Sequence, residues 1–366
     1  MSLKNIIIFI PSIEGYGVEK NLFLISNFLS KKIKNVTIIS VTKKFKLEFN
    51  KSIKFVSPKN LFWQNGGRLR KYLICSFLLI KFLMTNNNNL ILSFQGNLIA
   101  ILISKIFKSK ILIRLNSAPS GWSNNILKKN IFKIFLQFAD EIIVNSKKFK
   151  KIVDEEFKVN SINIYNPLNI NIIKLKSKIF SKKIFNYQKS IKIINVGRLV
   201  DQKNQIILLK AIKELIYKKK LLIECILVGD GNLKKNYQNF ILENKLNRNI
   251  KIFNFKKNPF NLIKQADLLV LSSKFEGLPN VLLEALVLNK FVISSDCPTG
   301  PREILLNGNG GLLFKSNDHK DLKNKILYFV NNKNKCKKML KYAKKELHRF
   351  DYFNNLNKYL NLITKY

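Results

Sequence analysis

Residues 271–286 read LSSKFEGLPNVLLEAL, and this stretch restricts the fold more tightly than any other in the chain. The apolar run 268–271 ends in Ser272-Ser273, the way a buried parallel strand hands its chain to a loop at a sheet edge. The loop holds Glu276, Gly277 and Pro279. From Asn280 onward, apolar residues return at helical spacing as Val281, Leu282, Ala285 and Leu286. Pro279 stands just ahead of that helix, where a missing N–H costs nothing. Two carboxylates result, Glu276 on the loop and Glu284 in the helix, with the N–H groups of a helix start between them. Such N–H groups bind phosphate, and a carboxylate a turn or two further on accepts hydrogen bonds from sugar hydroxyls. The plainer alternative is an ordinary strand, loop and helix with solvated carboxylates.

The rest of the chain repeats this unit. Short apolar runs at 6–10, 36–41, 90–94, 111–115 and 142–144 alternate with helical stretches, the rhythm of a doubly wound α/β domain. The pattern resumes at 191–196, 222–228 and 250–255 after a Lys- and Asn-rich stretch of weak periodicity. With 366 residues the chain is long enough for two domains with separate cores. The expected boundaries are a first domain over 1–167, a linker over 168–190 and a second domain over 191–345, followed by a C-terminal helix over 346–366. No apolar run approaches the roughly 20 residues of a spanning helix. The run 6–10 is also shorter than the apolar core of a signal peptide, about 7–15 residues, and reads as a first buried strand.

Two more loops follow strands. Gly197-Arg198 leads through Lys203 into a helix, so two cations flank one loop; fixed cations stabilise the charge that develops on a departing diphosphate. Gly15 and Gly17 lie between the first strand and a helix, where glycine lets the backbone approach a ligand. They do not make a dinucleotide fingerprint, because the third glycine and the following acid are missing.

The seven residues between Glu276 and Glu284, flanked by Gly-Leu-Pro-Asn and Glu-Ala-Leu, resemble the signature of glycosyltransferase family 4, the glycosyl transferases group 1. Gly197-Arg198-Leu199 with Lys203 resembles a second family block, and Gly15 to Glu19 resembles the family's opening glycine segment. The resemblance implies an α/β GT-B fold, two Rossmann-like doubly wound domains facing a central cleft, with the last helix a candidate to pack back on the first domain. It implies a hexosyltransferase-type enzyme that is retaining and moves a sugar from a nucleotide diphosphate sugar, UDP ahead of GDP, to a hydroxyl of a surface-glycan acceptor. That acceptor is a lipid-linked oligosaccharide, a lipopolysaccharide or a capsule precursor. The implied catalytic residues are Glu276, Arg198 and Lys203. Donor contacts fall to Gly15, Gly17, Gly277, Leu278, Asn280 and Glu284. Many relatives carry a histidine in the loop after 111–115; here Asn116 stands at that position and is the acceptor-side candidate. Asn254 replaces a glycine that relatives often have at a strand end.

No metal and no cofactor are expected, since the cations and helix start serve the diphosphate and no Asp-x-Asp element lies in a suitable loop. The only histidines, His319 and His348, stand away from every motif, which argues against a histidine base. Cys75, Cys225, Cys297 and Cys336 lack metal-like spacing and read as reduced thiols of the cytoplasm. The net charge of +44 is extreme, and Lys-rich drift accounts for part of it. Residues 1–190 carry 33 basic and 8 acidic side chains. Basic, apolar stretches at 68–84 and 126–138 fit either packing on a sheet or a membrane interface. The partners expected are therefore a nucleotide sugar, a glycan or lipid-linked acceptor and an anionic membrane surface, with no specific nucleic acid. The location expected is the cytoplasm, at the inner face of the cell membrane. The rival readings are a nucleotide-sugar epimerase and a noncatalytic basic protein that binds membrane or nucleic acid.

Overall fold

The computed structural model describes residues 5–15, 17–64, 66–87, 89–117 and 126–366. Tyr16 and the distal part of the loop after Asn116, residues 118–121, lie outside the described residues. The chain divides into two units, Met1–Pro167 with Tyr352–Tyr366, and Leu168–Asp351.

The first unit is built on β1 (Asn5–Phe9), β2 (Val36–Ile39), β3 (Lys54–Val56), β4 (Asn89–Ser93), β5 (Lys110–Arg114), β6 (Glu141–Val144) and β7 (Ser161–Asn163). They pair in parallel in the order β3-β2-β1-β4-β5-β6-β7. The helices between them are α1 (Gly17–Leu29), α2 (Arg68–Thr85), α3 (Asn97–Ile106), α4 (Ile126–Leu136) and α5 (Lys147–Phe157). Alternation along β1 divides the core. Ile6 and Ile8 join the cluster that includes Leu22 and Ile25 of α1, while Ile7 and Phe9 join Cys75 and Leu79 of α2 and Ile101 of α3. Burial on both faces is why such strands read as continuous apolar runs.

The second unit holds α6 (Ile170–Ser177), β8 (Ile191–Val196), α7 (Gln205–Lys219), β9 (Ile223–Val228), α8 (Lys234–Glu243), β10 (Ile250–Phe253), α9 (Phe260–Gln265) and β11 (Leu268–Leu271). It continues with α10 (Asn280–Val287), β12 (Phe291–Ser295), α11 (Pro301–Ile304), β13 (Leu312–Phe314), α12 (His319–Asn331) and α13 (Lys333–Lys345). Its parallel sheet runs β10-β9-β8-β11-β12-β13, so both units are doubly wound.

The stretch 168–190, expected as a linker, is instead a structured part of the second unit. It carries α6, and Ile184 and Phe185 are buried. Buried Glu224 on β9 accepts the N–H groups of Asn186 and Tyr187 at 2.7 and 2.9 Å and the Ser190 hydroxyl at 2.6 Å. Gln265 accepts the N–H of Ile184 at 3.0 Å. Weak periodicity here reflects a segment held by polar side chains rather than by an apolar stripe. At the far end, residues 346–351 stay with the second unit, and only α14 (Tyr352–Ile363) lies with the first, burying Leu356, Tyr359 and Ile363 in the cluster that contains α1.

Candidate active site

In an open parallel sheet, ligands bind beyond the carboxyl ends of the strands, where the strand order reverses. In the second unit that point lies between β8 and β11. The loop after β8 carries Arg198 and Lys203, and the loop after β11 carries Ser272, Ser273 and Glu276.

The two loops are tied together by hydrogen bonds. Ser272 Oγ donates to the Lys203 carbonyl at 2.8 Å, the Lys274 N–H to the Gln202 carbonyl at 2.8 Å, and Gln202 Nε2 to the Phe275 carbonyl at 2.9 Å. Beneath them, Asn195 Nδ2 donates to the Val270 carbonyl at 2.8 Å and fully buried Gln205 donates to the Arg198 carbonyl at 2.9 Å. Lys203 Nζ lies 2.5 Å from Glu276 Oε1, which also accepts the Ser273 hydroxyl at 2.6 Å. Arg198 reaches Gln202 Oε1 at 3.4 Å. Lys203, read as a diphosphate ligand, thus stands against the carboxylate read as a sugar ligand. Opposite charges on neighbouring loops of one switch point attract.

Close backbone contacts shape the floor. A Cβ on Gly229 would lie 1.9 Å from the Gly197 carbonyl oxygen, so the turn after β9 runs directly against the arginine loop. Gly300, at φ +85°, sits the same way against the Gly277 carbonyl, whose oxygen would be 2.1 Å from a Cβ at position 300. Thr299 Oγ1 donates to the Glu276 carbonyl and Ser295 Oγ to the Ser273 carbonyl, so β12 and its loop brace the glutamate loop from the other side. Pro279 is the N-cap residue of α10; Asn280 opens the helix, Leu278 is buried just before it, and Glu284 is buried one turn in. Burial pushes the neighbouring Cys297 thiol up to about 12, with the Glu276 charge adding to the effect. All four cysteines are buried and unpaired by disulfides. Lys234 Nζ contacts Asn254 Oδ1 at 2.5 Å, so that residue, which departs from the family's glycine, is engaged within its own unit.

The first unit places its candidates separately. Gly15 closes the loop after β1 and Gly17 opens α1. Asn116 is committed to structure: its Oδ1 accepts from the buried Arg114 guanidinium, and its Nδ2 donates to the Phe94 carbonyl at 2.8 Å. Its side chain braces the arginine of β5, a role the histidine comparison did not foresee. Glu19 ends the segment that resembles the family's opening block, but the sequence assigns it no role of its own. It is buried in the first turn of α1, 3.5 Å from Gln95 Nε2 in the loop after β4, at this sheet's own reversal point. Its acidic position two residues after Gly17 was the available signal. Ser273, Thr299 and Gln202 were also missed, because hydroxyls and amides on loops carry no spacing signature.

Residues 176–346 match the family described as glycosyl transferases group 1. That segment, which carries the second unit's sheet, is similar to the group 1 glycosyl transferase domain. The chain is 37% identical over 218 residues to the uncharacterized glycosyltransferase MJ1059 of Methanocaldococcus jannaschii, covering 56% of this chain and 53% of that protein. The matched part thus spans about half the length of that relative. It is 26% identical over 324 residues, 84% of each chain, to a Campylobacter jejuni protein. That protein is N-acetylgalactosamine-N,N'-diacetylbacillosaminyl-diphospho-undecaprenol 4-alpha-N-acetylgalactosaminyltransferase. The crystal structure of Anabaena Alr3699/HepE with UDP and glucose aligns over 99% of this chain and 100% of that one, with TM-score 0.79 at 19% identity. The fold is GT-B. Both the arginine loop and the glutamate loop fall inside the matched group 1 segment. Among the described residues, no group of three or more His, Cys, Asp or Glu is placed to hold a metal ion, and no helix is long and apolar enough to cross a membrane.

Proposed function

We propose that this chain is a retaining, metal-independent glycosyltransferase of family 4. It transfers a sugar from a nucleotide diphosphate donor, UDP in preference to GDP, to a hydroxyl of a lipid-linked or surface glycan at the inner face of the cell membrane. The observation that carries this reading is the cross-braced pair of loops at the β8/β11 reversal, which sets Arg198, Lys203, Glu276 and the start of α10 on one rim. In this reading Arg198, Lys203 and the N–H groups around Gly277, Leu278 and Asn280 take the charge that develops on the leaving diphosphate. Glu284 accepts the ribose hydroxyls, and Glu276 contacts the transferred sugar. The acceptor's proton passes to a donor phosphate oxygen as the new glycosidic bond forms on the face the diphosphate leaves. UDP in the HepE structure supports the donor, and the diphospho-undecaprenol in the Campylobacter relative's name supports the acceptor class.

The test is nucleotide release from a panel of UDP-, GDP-, ADP- and CMP-sugars by wild type and Glu284→Ala, with a chelator added in parallel. Turnover of one donor, lost in the variant and unchanged by the chelator, is the expected result. Silence across the panel, with no thermal protection by UDP or GDP, overturns it.

A further inference from the structure

The outer surface of the α2–α3–α4 layer is apolar where a sheet-covering helix ordinarily turns polar residues to water. Cys75, Leu79 and Leu83 of α2 face the sheet and are buried, while Leu69, Leu73 and Phe77, one turn apart, are 74%, 62% and 66% exposed. On α4 the same outward stripe holds Leu127, Ile131 and Ile134, and on α3 it holds Leu102 and Ile106. Adjacent helices of this layer touch, α2 on α3 and α3 on α4, so the stripes are neighbours. Beside the N-terminus of α2, Phe62 and Trp63 are exposed, and the Arg70 guanidinium lies 4.2 and 5.1 Å from their ring centres.

Charge singles out the same region. Between Glu48 and Asp140 the chain has no acidic residue and 14 basic ones. Arg68, Lys81, Lys108 and Lys133 are exposed among the apolar stripes. Monomeric proteins rarely leave apolar patches of this kind uncovered. We infer that the outer face of α2, α3 and α4 docks on an anionic lipid surface, with the aliphatic stripes entering the interface and the basic side chains meeting the headgroups. A nucleic acid meets the same charge, but its phosphates offer nothing to rows of Leu and Ile. The inference rests on the transferase reading above for the purpose of docking, which is to bring a lipid-linked acceptor to the enzyme; the binding itself rests on these residues.

The experiment is cosedimentation of the full chain with phosphatidylcholine vesicles, with and without phosphatidylglycerol. The variants are L73E/F77E/I131E and, as a charge control on α13, K337Q/K338Q/K341Q. Expected are binding that requires phosphatidylglycerol, a loss of affinity of at least about tenfold in the first variant and little change in the second. Equal losses in both variants overturn the proposal in favour of bulk charge. So does a mixed-sequence oligonucleotide that binds with the same affinity and is lost in the first variant. A second measurement needs no surface variant. With Trp122→Phe, the remaining Trp63 is quenched by brominated phosphatidylglycerol vesicles if the face inserts, and unquenched bound protein overturns it. Nucleotide release in solution stays unchanged in L73E/F77E/I131E, so a failed docking face and a failed transferase reading give different results.

Discussion

Lys203 Nζ and Glu276 Oε1 stand 2.5 Å apart, although 73 residues separate them in the chain. The pair sits between loops already joined by backbone and amide hydrogen bonds, with the lysine and glutamate side chains only 18% and 9% exposed. The proposed function has this lysine exchange its carboxylate partner for a donor phosphate.

Removing either member leaves a poorly solvated charge without its counter-ion. Lys203→Met and Glu276→Gln are each expected to cost about 1–3 kcal/mol of stability, and the double variant less than the sum. Thermal unfolding of the four proteins checks this. UDP should protect Glu276→Gln against unfolding and fail to protect Lys203→Met, because the diphosphate contact is assigned to the lysine. Sugar transfer should fall by about a hundredfold or more in both.

Gly300 has φ +85° and no room for a Cβ beside the Gly277 carbonyl. Gly300→Ala is expected to destabilise the second unit by about 1–3 kcal/mol from backbone strain alone, and to displace the loop that carries Glu276. Denaturant titration gives the first quantity. A larger loss of donor affinity than of stability gives the second.

Burial works against the charge on Glu224, yet the N–H groups of Asn186 and Tyr187 and the Ser190 hydroxyl hold its carboxyl below the ordinary value of 4.5. A depressed carboxyl contributes stability that is complete above the unfolded value and is lost as pH falls through the folded one. The wild type is therefore expected to lose stability below about pH 4.5, with part of that loss absent in Glu224→Gln. At neutral pH the variant is expected to be about 1–3 kcal/mol less stable, since an amide cannot accept all three bonds. Unfolding free energy as a function of pH measures both effects.

The buried guanidinium of Arg114 bonds to Tyr359 at 2.9 Å and to Asn166 at 2.6 Å, both neutral partners. Tyr359→Phe leaves one N–H of a buried cation without its acceptor, at a cost of about 1–3 kcal/mol. The loss should appear as earlier hydrogen exchange in β5 and α14, with α10 unaffected. Equal loosening of α10 would show that the contact does not act within the first unit alone.

Strong local signals carried much of the fold into view from the sequence. The apolar run 268–271, Pro279 and the helical spacing after Asn280 made β11 and α10 legible, and the same applies to β1 and β8. Partnership was not legible. Nothing near Asn186 announces Glu224, and the amphipathic pattern of α14 identifies a helix without saying which sheet it covers. In the site, charged residues on strand-end loops stood out by type. The serines, threonine and amides that fix those loops did not, because their role depends on neighbours far away in sequence.

The return of α14 to the first unit has a consequence for synthesis. A ribosome releases the chain from its N-terminus, and domains generally fold as they emerge. The second unit has all its residues once Asp351 has been added, whereas the sheet that begins at Asn5 still lacks the helix that joins α1 in the core of Ile6 and Ile8 and supplies the hydroxyl for Arg114. The unit whose sheet is made first is therefore completed last, and the core that holds Ile6 and Ile8 closes only when α14 has left the ribosome.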